Sequence, residues 1–232
     1  MTDFFNNFFT FDPQHPLTFV RIDFWIFFAL VYAVFALIYK RGHLRNLFLL
    51  IASFYFYYKA SGLFVLLLVF STVTDFYLGH YIDQHQEELR RKIAVTISVC
   101  LNLLVLSYFK YAYFFTDTYN TLFQTHHQTF NYLAYWANGF NYKGYFSVDD
   151  IILPVGISFY TFQTISYTVD IYRKKIAPLK SMLDFGFYVS FFPQLVAGPI
   201  VRAEEFVPQI LKKTVVSKEE FNKAIFLILK GL

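Results

Sequence analysis

The sequence predicts an all-α, polytopic helical membrane protein with re-entrant or broken helices. Three observations predict it. Of 232 residues, 56% are apolar and only 16% are charged, against about a quarter in a soluble globular chain. The mean hydropathy is +0.42, and the apolar residues gather in long runs. Pro193, Gly198 and Pro199 interrupt the last of these runs, where a regular span would break. Composition also excludes classes. Disorder needs low hydrophobicity and high charge. One cysteine, Cys100, cannot form an intramolecular bridge. A net charge of +4, scattered along the chain, offers no basic face for nucleic acid.

Residues 1–23 form an N-terminal interfacial segment. The stretch MTDFFNNFFTFDPQHP carries Asp3 and Asp12 and no basic residue before Arg21, unlike a secretory leader with its positive start. Its phenylalanines suit the bilayer interface. Residues 24–115 hold four transmembrane spans. Their cores are the runs from Phe24 to Tyr39, Asn46 to Tyr58, Ser61 to Ile82, and Ile93 to Thr116. The second is short for the roughly 20 residues that cross about 30 Å of hydrocarbon, so Arg45 and Lys59 must snorkel or the bilayer thin. The loops from Lys40 to Arg45, Asp83 to Lys92 and Arg173 to Lys175 are basic. Positive-inside reasoning puts them in the cytoplasm.

Residues 116–150 are rich in Asn, Gln, Thr and Tyr and read as an extracytoplasmic interfacial cap, a depth that suits Tyr and Trp. Residues 151–232 begin a dense core with two more runs, Ile151 to Val169 and Phe185 to Val201.

Polar residues at membrane depth are the candidates for function. Asp75 lies about 12 Å from the inner loop at 1.5 Å per residue, Asn102 about 15 Å and Lys110 about 27 Å. Depth therefore pairs Asp75 with Asn102, as a structural polar contact, and leaves Lys110 to snorkel outward. Tyr160, Gln163, Tyr167 and Asp170 recur at helical spacing and form one polar-aromatic stripe, which belongs toward protein or a cavity. Irregular backbone at the Pro/Gly break must be buried or line a wet passage, with Gln194 and Arg202 as its polar lining. The six histidines show no metal-ligand spacing, so no metal site is expected. No G-x-S-x-G elbow or phosphate-cradling glycine loop occurs, and Cys100 sits in an apolar helix that would keep its thiol protonated.

Two long segments carry a resemblance. LPVGISFYTFQTISYTVDIYR at Leu153–Arg173 and SFFPQLVAGPIVR at Ser190–Arg202, supported by STVTDFYLG at Ser71–Gly79 and YFKY at Tyr108–Tyr111, resemble the membrane-bound O-acyltransferase family. The likeness is to its bacterial branch of alginate O-acetyltransferases and D-alanyl-lipoteichoic acid acyltransferases, and closer to the alginate type. The resemblance implies that an acyl group, acetyl above all, passes from a cytoplasmic donor to hydroxyls of an extracytoplasmic polysaccharide. It implies a donor co-substrate (acetyl-CoA or an acyl carrier), no tightly bound cofactor, an extracytoplasmic acyl-transfer partner protein, and residence in the inner (cytoplasmic) membrane.

Members of that family are longer chains whose catalytic histidine, a general base for the acceptor hydroxyl, lies in the C-terminal half. No histidine here sits in a matching motif, so the chain is expected to be an N-terminal portion, inactive alone, with no catalytic residue of its own. Tyr160, Gln163, Gln194 and Arg202 are the substrate-tunnel candidates. Two other outcomes stay open: a non-catalytic fragment or scaffold, and a small transporter subunit, against which the lack of inverted-repeat symmetry weighs.

Overall fold

The computed structural model describes residues 11–12, 15–139, 147–195, 198, 201–211 and 217–231. Among these the regular elements are all helical: α1 (Ile22–Ile38), α2 (Gly42–Ser61), a 3-10 turn (Gly62–Phe64), α3 (Val65–Gln84), α4 (Glu88–Phe123), α5 (Tyr132–Gly139), α6 (Ile157–Tyr172), α7 (Met182–Ser190), α8 (Phe192–Leu195), α9 (Ala203–Leu211) and α10 (Lys218–Gly231). Two helical stretches, Gly42–Gln84 and Glu88–Phe123, are long and apolar enough to cross a membrane. The chain has an all-α membrane fold. Leu66, Phe70, Ile93, Leu104 and Phe162 stay exposed on the helix surfaces, where lipid rather than water suits them.

The short second run gains length from its flanks. α2 has 20 residues, about 30 Å at 1.5 Å per residue, because Gly42–Arg45 and Lys59–Ser61 join the helix. Gly62, at φ +62°, then turns the chain. Leu50 and Thr72, similarly distant from that turn, both abut Gly186 of α7, so α2 and α3 run back alongside each other with α7 seated between them. Phe24 and Phe27 of α1 meet Phe56 of α2 and Phe192 of α8, with ring centroids 5.3–6.3 Å apart. That aromatic cluster anchors α1 to the bundle.

Helix ends meet in two groups. At one end the Val155 N–H donates to Ser61 Oγ at 3.1 Å and the Ile151 N–H to Tyr113 Oη at 2.8 Å. At the other, Arg91 donates to the carbonyls of Ile82 and Tyr172 at 3.2 and 2.5 Å and lies over the Tyr172 ring. Near that second end Asn46 Nδ2 donates to Asp184 Oδ1 at 2.7 Å, and Arg45 bonds both Asn46 and the Ile210 carbonyl.

α4 has 36 residues and runs to Phe123, so the first part of the segment assigned to the cap is the end of this helix. Asn120, in its last turn, staples the chain that follows, donating to the His127 carbonyl and accepting from the His127 N–H. Asn131 then caps α5 through the Ala134 N–H. Residues 140–146 of the cap, and residues 1–10 and 13–14 of the N-terminal segment, lie outside the described residues. The last run is broken. α7 ends at Ser190, Phe191 is extended in ψ at 106°, and α8 restarts at Phe192. A continuous helix would drive the Pro193 ring into the carbonyl four residues earlier.

Candidate functional site

Asp75 is fully buried where α3, α4 and α6 meet. Asn102 Nδ2 donates to its Oδ2 at 2.8 Å, and Ser98 Oγ to its Oδ1 at 2.6 Å. The same asparagine's Oδ1 accepts from Ser71 Oγ at 2.6 Å and Thr164 Oγ1 at 3.2 Å. Ser98 Oγ also lies 3.0 Å from Thr168 Oγ1. Each helix contributes a polar pair four residues apart, Ser71/Asp75, Ser98/Asn102 and Thr164/Thr168, which places both members on one face. The structure thus brings Asp75 and Asn102 together within a larger knot. The four hydroxyl residues were not singled out from sequence, although their i, i+4 spacing was there to be read. No basic side chain pairs with Asp75 among the described residues, and Lys110 lies over the Tyr111 ring instead.

The stripe on α6 faces protein. Tyr160, Gln163, Tyr167 and Asp170 are all buried. Gln163 Nε2 donates to the Tyr188 carbonyl at 2.9 Å, which ties α6 to the last turn of α7. The Tyr167 ring lies 4.4 Å from that of Phe185, tilted by 33°, and its hydroxyl accepts from the Leu179 N–H. Tyr160 turns the other way, with its ring 6.4 Å from Tyr57 of α2. Gly156 starts α6 at φ +74°, and a Cβ there would sit 2.5 Å from the Leu195 carbonyl oxygen. The first of the two long motifs therefore lies directly against the second at this point.

A second polar stripe, not singled out from sequence, runs along α2 at i, i+4, i+8: Ser53, Tyr57 and Ser61. Ser53 Oγ accepts from the Phe192 N–H at 3.3 Å, one of the donors freed by the helix break, and Ser61 Oγ receives the Val155 N–H. Tyr57 lies between them. The hydroxyls of Thr161 and Ser190 are buried and meet hydrogen-bond geometry with no described residue, while those of Tyr57 and Tyr160 lie against each other, with Ser61 beside Tyr57.

The other two tunnel candidates sit apart from this junction's buried side. Gln194 is half-buried on α8, its carbonyl accepting from the Gly198 N–H. Arg202 is exposed, and its backbone carbonyl starts α9 by accepting from Glu205 and Phe206. Residues 196–197 and 199–200 of the second motif lie outside the described residues. Of the described histidines, His80 and His85 bond the carbonyls of Phe76 and Tyr81, and His15 bonds Asp12. Among the described residues no three of His, Cys, Asp and Glu come together. A cavity of about 630 Å³ lies elsewhere, between the outer half of α4 and residues 128–132.

No family model and no solved structure matches the chain. Curated proteins do. It is 36% identical over 171 residues to the probable alginate O-acetylase AlgI of Pseudomonas aeruginosa, covering 73% of this chain and 30% of that one. Identity is 35% over 174 residues to the protein of the same name from Azotobacter vinelandii, covering 73% and 31%. It is 30% over 192 residues to the peptidoglycan O-acetyltransferase of Helicobacter pylori, covering 72% and 33%. The matched stretch thus spans only about a third of each relative's length. The chain is a homologue of these proteins and belongs with them in the membrane-bound O-acyltransferase family that its two central motifs resemble.

Proposed function

We propose that the chain is part of a membrane O-acyltransferase that moves an acyl group, acetyl in the first instance, from a cytoplasmic donor to hydroxyls of an extracytoplasmic polysaccharide. The observation that carries this is the 36% identity to an alginate O-acetylase over 73% of the chain. The break in the last run supports it, because non-helical backbone at membrane depth is tolerated where it is enclosed by protein or lines a passage. Here the break is held by Ser53 and Gln163. On this reading the donor is acetyl-CoA or an acyl carrier, an extracytoplasmic partner protein receives or relays the group, and the protein lies in the cytoplasmic membrane with several passes. Tyr160, Gln163 and Gln194 belong to the wall of the passage, and Arg202 stands at its exposed edge. The Asp75 knot holds the three helices in register and takes no part in the chemistry.

The test is genetic and chemical. Deleting the gene should lower the O-acetyl content of the cell's exported polysaccharide, read as alkali-released acetate, and re-expression should restore it. Unchanged acetate in the deletion strain would overturn the proposal.

A further inference from the structure

The outer half of α4 carries the cavity of about 630 Å³, a volume within the range of small-molecule sites. Leu104, Tyr108, Ala112 and Thr116 recur every four residues and form one of its walls. The core-facing stripe of the same helix, through Asn102, Leu106 and Phe109, is buried, so the cavity lies on a flank of α4 beside the bundle. Its other wall is the irregular chain that follows the helix. That chain turns back at Asn120, which bonds His127, and descends to Asn131, whose Oδ1 accepts from Tyr108 Oη at 3.3 Å. Gln128 and Thr129, on the cavity wall, therefore stand between the heights of Asn120 and Tyr108. Irregular backbone at such a depth is tolerated where it lines a cavity or is enclosed by protein.

Height decides what fits. Counted from Lys92 at 1.5 Å per residue, Leu104 stands about 18 Å up, Ala112 about 30 Å and Thr116 about 36 Å, against about 30 Å of hydrocarbon. The cavity thus runs from just past the bilayer midplane to just above the outer boundary, which is the reach of one lipid of the outer leaflet. Its chemistry changes in the same order. Leu104 and the Tyr108 ring line the deep end, whereas Thr116, Gln128 and Thr129 bring neutral hydroxyls and an amide to the shallow end. Leu104 is 64% exposed, so the deep end is continuous with the lipid-facing surface of α4. We propose that this cavity binds one glycerophospholipid of the outer leaflet, with an acyl chain along Leu104 to Ala112 and its glycerol esters at Gln128 and Thr129. Ester carbonyls only accept, and the exposed Gln128 amide and the Thr129 hydroxyl can donate. None of the described residues lining the cavity is ionised, so the esters are recognised and not the headgroup charge. A sugar would leave hydroxyls unpaired against the deep wall. The bound lipid fills the space between α4 and the returning chain, and the site is independent of the acyl-transfer reading.

The experiment uses the full chain in detergent micelles, with a phosphatidylcholine that carries a diazirine midway along one acyl chain as probe. After illumination, peptide mass spectrometry locates the cross-links. On the wild-type chain they should fall at Leu104 to Ala112 and at residues 128–132, saturate at one probe per chain, and be competed by unlabelled phosphatidylcholine. Gln128→Ala should weaken binding about three- to tenfold, as the loss of one hydrogen bond implies. Ala112→Trp, which fills the cavity, should lower labelling about tenfold or more. Phe162→Trp, at an exposed position on α6 away from the cavity, should leave it unchanged. Cross-links spread over all lipid-facing helices without saturation overturn the proposal, and this wild-type map stands whether or not Ala112→Trp folds. Equal labelling of wild type and Gln128→Ala overturns the assignment of the esters. Cross-links joining two copies of the chain through these residues would give the cavity to a second protomer. Displacement of the probe by maltotriose but not by phosphatidylcholine would give it to a sugar. Either result overturns the proposal.

Discussion

At the scale of single residues, Asn102 is the pivot of the buried knot. It bonds Asp75, Ser71, Thr164 and its own helix at Ser98. Asn102→Ala removes a donor from a fully buried carboxyl and an acceptor from two hydroxyls. Interhelical hydrogen bonds in membranes are individually weak, about 0.6 kcal/mol on average, but an orphaned buried group costs about 1–3 kcal/mol. We predict a loss of roughly 2 kcal/mol for this variant, set by the orphaning, measured by denaturant titration in mixed micelles. A loss below about 0.5 kcal/mol would mean that water reaches Asp75. Gly156 is a backbone matter. Its φ of +74° and the nearby Leu195 carbonyl leave no room for a methyl group. Gly156→Ala should therefore destabilise by at least about 1–3 kcal/mol, the usual cost of forcing a side chain into a disfavoured region, read from the shift in the melting temperature.

At the scale of elements, the C-terminus of α6 depends on a residue from α4. Arg91 bonds the Tyr172 carbonyl and covers its ring, while the carbonyls of Val169, Asp170 and Ile171 accept from the backbone of the following turn. Arg91→Ala should loosen α6 at that end, and Arg91→Lys should not rescue it, because a lysine cannot form the planar fork that reaches two carbonyls. Hydrogen exchange at Arg173 and Lys174 would report both. α10 opens with a reciprocal cap: the Ser217 N–H donates to Glu220 Oε2 at 2.8 Å, and the Glu220 N–H to Ser217 Oγ at 3.2 Å. The bond from the Ser217 backbone, then that from its hydroxyl, holds the Glu220 carboxyl below its ordinary value. A lowered folded-state value means that the cap contributes above the unfolded carboxyl range and is lost as pH falls through the folded value. Exchange protection at Phe221 should thus decline on acidification, and Glu220→Gln should flatten that dependence.

Much of the element order was legible because apolar runs report bilayer-length helices directly. The limits were less so. Arg45 and Lys59 hid the true length of α2, since charge near a helix end looks like a boundary even where the side chain reaches outward. α4 continues through Asp117 and Asn120, which composition assigned to a surface cap. Of the site, depth counting put Asp75 beside Asn102 and periodicity put Gln163 and Tyr160 on one stripe. Depth and periodicity along one helix cannot say which neighbour it meets, so the turn of Tyr160 toward Tyr57 and the exposure of Arg202 waited for tertiary packing.

At the scale of the molecule, the two groups of helix ends imply a sidedness that can be checked. Single cysteines at Arg90 and Lys174 should react with a membrane-impermeant maleimide only after the membrane is opened, and one at Asp149 should react in intact spheroplasts. Labelling of Arg90 and Lys174 from opposite sides would refute the topology. α4 is unbroken from Glu88 to Phe123, roughly 54 Å of rod at 1.5 Å per residue against about 30 Å of hydrocarbon. Arg91 clamps its lower end to α6, so whatever follows Gln124 is indexed in height and azimuth to that clamp. A single residue inserted after Thr116 would swing the whole upper assembly by about 100° while leaving the buried bundle as it was.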